Sequence, residues 1–61
     1  MNLSEQILYL IKENPKITRN EIAIILNIGT TTIYRTLEKL KSDNKIKRIG
    51  SNKTGHWEII E

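Results

Sequence analysis

The chain has 61 residues, a formal net charge of +3 and no cysteine, so it is read as one domain over 1–61, near the lower limit at which a single core holds a fold without staples. Without thiols there is neither a disulfide framework nor a thiolate metal site, and apolar packing has to stabilise the fold alone. The longest apolar run, Ile7 to Ile11, is too short to cross a bilayer, and the N-terminus lacks a basic region followed by an apolar signal segment, so a cytoplasmic chain is expected.

In chain order, Ser4 with Glu5 and Gln6 reads as an N-cap and an acidic first turn, and Leu3, Ile7, Leu10 and Ile11 recur at helical spacing. This predicts a helix over 4–13, stopped by Asn14-Pro15 because proline drives its predecessor out of the α region. Leu8 falls on the flank and Tyr9 nearly opposite Ile7, either as ordinary surface residues or as an interface with another domain or subunit. Lys16-Ile17 reads as a short strand. Thr18-Arg-Asn-Glu21 then matches the capping box, which starts a helix over 18–26 with Ile22, Ala23, Ile25 and Leu26 as its buried stripe. Asn27 is its expected stop, since Asn tolerates the left-handed conformation.

Ile28 is expected to plug the core in the turn, Gly29 to cap the next helix, and that helix to run over 30–42. Its three threonines each lose roughly 0.5 kcal/mol of helix propensity relative to Ala, small beside the packing of an inner face. Ile33, Thr36, Leu37 and Leu40 form that inner face; Thr31, Arg35, Glu38 and Ser42 point out, with Tyr34 and Lys39 on the flanks. After Asp43-Asn44 the period changes. Residues 45–50 and 55–60 read as two strands around the turn-forming stretch 50–55, giving a hairpin with a basic tip. The fold class is therefore α+β, a three-helix bundle with a C-terminal β-hairpin.

Charge is distributed unevenly. Residues 1–34 balance Lys12, Lys16 and Arg19 against Glu5, Glu13 and Glu21, whereas Arg35, Lys39, Lys41, Lys45, Lys47, Arg48 and Lys53 face only Glu38 and Asp43. Such a stretch suits a polyanionic partner, the alternative being a solvated face. Two helices joined by a tight turn at Asn27 have helix-turn-helix geometry, in which the second helix enters a DNA major groove by its first turns. Those turns carry Thr30, Thr31, Tyr34 and Arg35, with Lys39 one turn on. Threonine offers hydroxyls to phosphates and methyls to thymine, and arginine can bond two acceptors of guanine or grip a phosphate. Tyr34 has a competing reading, half-burial against the hairpin. Lys47, Arg48, Ser51, Asn52 and Lys53 lie on or near the hairpin tip, where they would follow the sugar-phosphate backbone, with Lys53 foremost. Charge there also protects an edge strand from pairing with other chains.

Trp57 is expected in the core, locking the hairpin onto the helices, with His56 on the opposite side. No second ligand accompanies His56, and the chain offers no carboxylate pair, activated nucleophile or phosphate-binding Gly loop, so no metal, no cofactor and no enzyme activity are expected.

The stretch "ITRNEIAIILNIGTTTIYRTLEKLKSDNKIKRIGSNKTGHWEII" resembles the winged helix-turn-helix domains of prokaryotic transcriptional regulators. Its wing, "IKRIGSNKTGHWEI", is similar to C-terminal winged helices of RecG-like regulators that carry an N-terminal ATP-binding or Schlafen-type domain, and "TIYRTLEKL" is similar to the recognition helix of ferric-uptake regulators. The resemblance implies binding of double-stranded DNA as part of a transcription factor, with the helix from Thr30 as recognition helix and residues 50–55 as wing. The family often has Gly where Asn27 stands and Ser or Thr where Gly29 stands, and the His and Cys ligands of its metal-sensing members are absent. Z-DNA-binding winged helices share only the tryptophan after the wing. One domain of this size contacts few bases, so a homodimer or covalent fusion to another domain is expected. A protein–protein interaction module within a larger protein is the alternative, because Leu8, Tyr9 and Ile24 are candidate exposed apolar residues.

Overall fold

The computed structural model describes residues 1–51 and 53–60. Its elements are α1 (Leu3–Glu13), α2 (Arg19–Leu26), α3 (Thr30–Ser42), β1 (Ile46–Ile49) and β2 (His56–Ile59). The two strands pair antiparallel, with Ile46 opposite Ile59 and Arg48 opposite Trp57. This is the three-helix, hairpin-winged arrangement expected above.

The helix starts follow from local chemistry. α1 is capped by Asn2 rather than Ser4: the Glu5 N–H donates to Asn2 Oδ1 at 2.9 Å, and the Asn2 N–H returns a bond to Glu5 Oε1 at 3.3 Å. The same reciprocal box opens α2 between Thr18 and Glu21, at 3.1 and 2.9 Å, so Thr18 is the cap and Arg19 the first helical residue. α2 and α3 also end alike. Asn27 (φ 55°) and Asn44 (φ 57°) sit in the left-handed region. The Ile28 N–H reaches back to the Ala23 carbonyl, and the Lys45 N–H to that of Leu40, each at the end of a Schellman-type closure.

Ile7, Ile11, Ile22, Ile33, Leu37 and Ile46 are fully enclosed, joined by Ile17, Ala23, Leu40 and Trp57. Leu8 and Ile28 pack against this core while partly exposed. Ile25 departs from its expected place in the α2 stripe: it is 58% exposed, and Ile22, Ala23 and half-buried Leu26 make the contact instead. An eight-residue helix packed along one narrow strip has no room for a fourth inward position.

Lys16-Ile17 is not a strand. Trp57 donates its backbone N–H to the Pro15 carbonyl at 2.7 Å and its indole N–H to the Ile17 carbonyl at 2.9 Å. Proline has no N–H to return the bond, and the Ile17 N–H is spent on the Asn14 carbonyl, so a ladder cannot form. The segment is a strap on which the hairpin is hung.

Candidate nucleic-acid interface

The turn at Asn27 brings the start of α2 beside the start of α3. Gly29 supplies the N-cap position of α3 with ordinary φ −57° and no side-chain cap, and no acidic residue stands in the first turn. First-turn N–H groups have no intrahelical acceptor, so this end presents donors and the positive end of the helix dipole outward. Thr30, Thr31, Tyr34 and Arg35 are all exposed along it, as is Lys39 farther down. Arg19, Asn20, Thr30, Thr31 and Tyr34 line one open cleft of about 320 Å³.

Tyr34 is 46% exposed, and its partner is α2, not the hairpin. The Arg19 guanidinium carbon lies 4.8 Å from the ring centroid, a cation–π contact of about 0.5–1 kcal/mol at such an exposed site. One turn on, Lys41 pairs with Glu38 at 3.1 Å. The Lys41 hydrogen bond is the main reason the Glu38 carboxyl sits below its ordinary range; desolvation opposes it, while the Lys41 charge, the Tyr34 hydroxyl and Arg19 act with it.

The wing is built on Ser51. The Thr54 N–H donates to Ser51 Oγ at 2.9 Å, the Gly55 N–H to the Ser51 carbonyl at 2.8 Å, and the two hydroxyls meet at 2.7 Å. Gly50 adopts φ 83°, and a Cβ at Gly55 would collide with the Ile49 and Ser51 carbonyls, so both ends of the turn require glycine. Arg48 fixes this turn to the sheet. Its guanidinium lies 4.8 Å over the Trp57 ring and donates to the Ser51 carbonyl through Nε and Nη2, at 3.3 and 3.0 Å.

The expected contacts therefore divide. Thr30, Thr31, Tyr34 and Arg35 share the exposed start of α3; Lys39 lies on the same helix; Lys53 is exposed at the wing tip. A second cleft, of about 350 Å³, runs between the start of α2 and the wing, lined by Thr18, Arg19, Asn20, Arg48, Lys53 and Trp57. Arg48 reaches that cleft while braced on Trp57. Lys47 projects to the other side, 3.7 Å from Glu58, which also lies 3.6 Å from His56. Asn52 lies outside the described residues. Sequence reasoning passed over Arg19 and Asn20, which line both clefts. The only signal for them was their place in the first turn of α2, directly after the cap. Among the described residues no three His, Cys, Asp or Glu side chains gather as a metal-binding group, and no helix is long and apolar enough to cross a membrane.

A family model described as an HTH domain matches residues 4–56, most of the chain. The chain belongs to this helix-turn-helix family. Membership makes DNA the partner to which this helix-turn-helix domain points, and α2, the Asn27 turn and α3 are the motif itself. No curated protein and no solved structure matches the chain significantly.

Proposed function

We propose that this helix-turn-helix domain binds double-stranded DNA with sequence preference, as a transcriptional regulator or its DNA-binding domain. α3 enters the major groove and the wing follows the backbone. The observation that carries this reading is the exposed α2–α3 edge, where an uncapped, acid-free helix start and Thr30, Thr31, Tyr34 and Arg35 lie together. Arg35 reads a base edge, the threonines and first-turn N–H groups take phosphate, and Lys53, with Arg48 behind it, holds the backbone at the wing. Lys39 contacts the flanking phosphates.

The chain acts by binding, not catalysis, in the cytoplasm, and a single module of this kind covers roughly 600–1,000 Å² of DNA interface. A homodimer, or fusion to another domain such as an ATP-binding one, supplies the remaining affinity. Fluorescence anisotropy against a randomised duplex library at two salt concentrations tests the proposal. The expected result is selection of a site, with affinity falling as salt rises; a chain that binds no duplex at low salt ends it.

A second reading has its own observation. Ile24 is 78% exposed, Ile25 58% and Tyr9 53%, which suits a protein partner. If charge reversal at Arg35 and Lys53 left function intact while Tyr9→Ala or Ile24→Ala abolished it, this reading would replace the first.

A further inference from the structure

Nothing in the capping box that opens α2 requires a cation at its first helical position, which any residue with moderate helix propensity fills. Glu21, in the same turn, is engaged with the Thr18 backbone. Among the described residues no carboxylate stands within ion-pair distance of Arg19. The half-buried Arg19 side chain is directed across the helix-turn-helix junction instead, over the Tyr34 ring at 4.8 Å. Tyr34 is thereby covered on one face of its ring, with the Arg19 guanidinium lying between it and solvent on the α2 side.

A tyrosine on a groove-facing helix has two rotatable angles, and a ring free about both sweeps across neighbouring bases. A ring held to one rotamer presents its phenol to one base pair. We propose that Arg19 is a positioning residue for sequence readout, holding Tyr34 against α2 so that it discriminates at a single base pair of the target duplex. The inference rests on the DNA-binding reading above.

A positioning role and a direct phosphate grip by Arg19 leave different signatures. Loss of a phosphate contact weakens all duplexes alike and lowers the slope of log K against log salt by about 0.9. Loss of positioning leaves the slope and the binding of random duplex in place. It reduces discrimination at the Tyr34 base pair by about two- to fivefold, the worth of an exposed cation–π contact.

The experiment uses the full 61-residue chain. A site is selected from randomised duplexes with the unmodified protein, and the selected duplex and its single-base variants are then titrated with Arg19→Gln, Arg19→Lys, Tyr34→Ala and the Arg19→Gln/Tyr34→Ala double variant. Arg19→Gln is expected to flatten preference at the same base pair as Tyr34→Ala, the double variant to be no flatter there than Tyr34→Ala, and Arg19→Lys to restore most of it. In the DNA-free chain, the Tyr34 ring-proton resonances are expected to shift in Arg19→Gln and to stay in place in Arg35→Gln.

A uniform loss across all duplexes with the lower salt slope, an unchanged preference, or unmoved Tyr34 resonances in Arg19→Gln overturns the inference alone, since site selection by the unmodified protein would still stand. If the unmodified protein selects no sequence, the DNA-binding reading falls and takes the inference with it. Circular dichroism of each variant confirms that the comparison is between folded chains.

Discussion

Around Trp57 the chain closes on itself. The indole and its backbone N–H satisfy the Ile17 and Pro15 carbonyls, Arg48 covers the ring and ties down Ser51, and the side chain is only 5% exposed. Along the α2–α3 edge the opposite holds: Gly29 caps nothing, Thr30, Thr31 and Arg35 stand in solvent, and Ile24 is 78% exposed. A 61-residue domain has only roughly 3–9 kcal/mol of total stability, at about 0.05–0.15 kcal/mol per residue. It gathers its packing and hydrogen bonds in the helix core, the strap and the wing base, and leaves unmet donors and apolar surface at the edge, where a partner can meet them.

The sharpest way to break this contrast is Trp57→Ala, which should cost about 3–5 kcal/mol, enough to leave much of the chain unfolded in a urea titration followed by circular dichroism. Trp57→Phe keeps most of the packing but strands the Ile17 carbonyl, a loss of about 1–3 kcal/mol. Arg35→Ala is the counterpart on the open edge. It should weaken binding to a selected duplex by about 1–3 kcal/mol while changing folding stability by no more than about 0.5 kcal/mol; a large drop in Tm would mean that Arg35 is structural.

Thr18→Ala removes the cap of α2 and should cost about 1 kcal/mol, seen as a fall in Tm of roughly 4–8 °C, with the affinity of the folded protein for DNA little changed. Gly29→Asp should do the reverse. No atom stands within 4 Å of where its Cβ would go, so a capping carboxylate should raise stability by about a few tenths of a kcal/mol while repelling phosphate and weakening duplex binding. Gain in both properties would show that the start of α3 does not approach DNA.

The smallest effect is electrostatic. Glu38 has its folded pKa held below 4.5, so its contribution to stability is present above that value and is lost as pH falls through the lower folded one. The Tm difference between the unmodified protein and Glu38→Gln should accordingly be larger at neutral pH than in acid, and small throughout because the pair with Lys41 is partly solvated.

Much of this architecture was legible from local chemistry. The Thr18–Glu21 box, the left-handed Asn27, the buried face of Ile33, Leu37 and Leu40, and the docking of Trp57 each depend on residues a few positions apart or on one side chain of dominant area. The cap of α1 falls on Asn2 and not on the expected Ser4 because Asn2 has the glutamate three positions on that a reciprocal box needs. The remaining differences depend on long-range packing. Whether Ile25 faces in depends on which strip of α2 meets α3, and the strand expected at 16–17 was pre-empted by Pro15 and by the Asn14 turn. At the candidate interface, the exposure of Thr30, Thr31 and Arg35 followed from helical phase. The Arg19–Tyr34 contact did not: it joins residues fifteen apart across a helix crossing, and the Arg48 brace needed the strand register opposite Trp57.

Because Arg48 grips both the Trp57 ring and the Ser51 carbonyl, and Trp57 is anchored to the strap between α1 and α2, the wing root and the helices share one mechanical reference. The loop tip can thus be treated as an exchangeable part. Lys53 is open to replacement without resetting the distance between wing and α3, whereas Gly50, Ser51 and Gly55, which set the bend, are not.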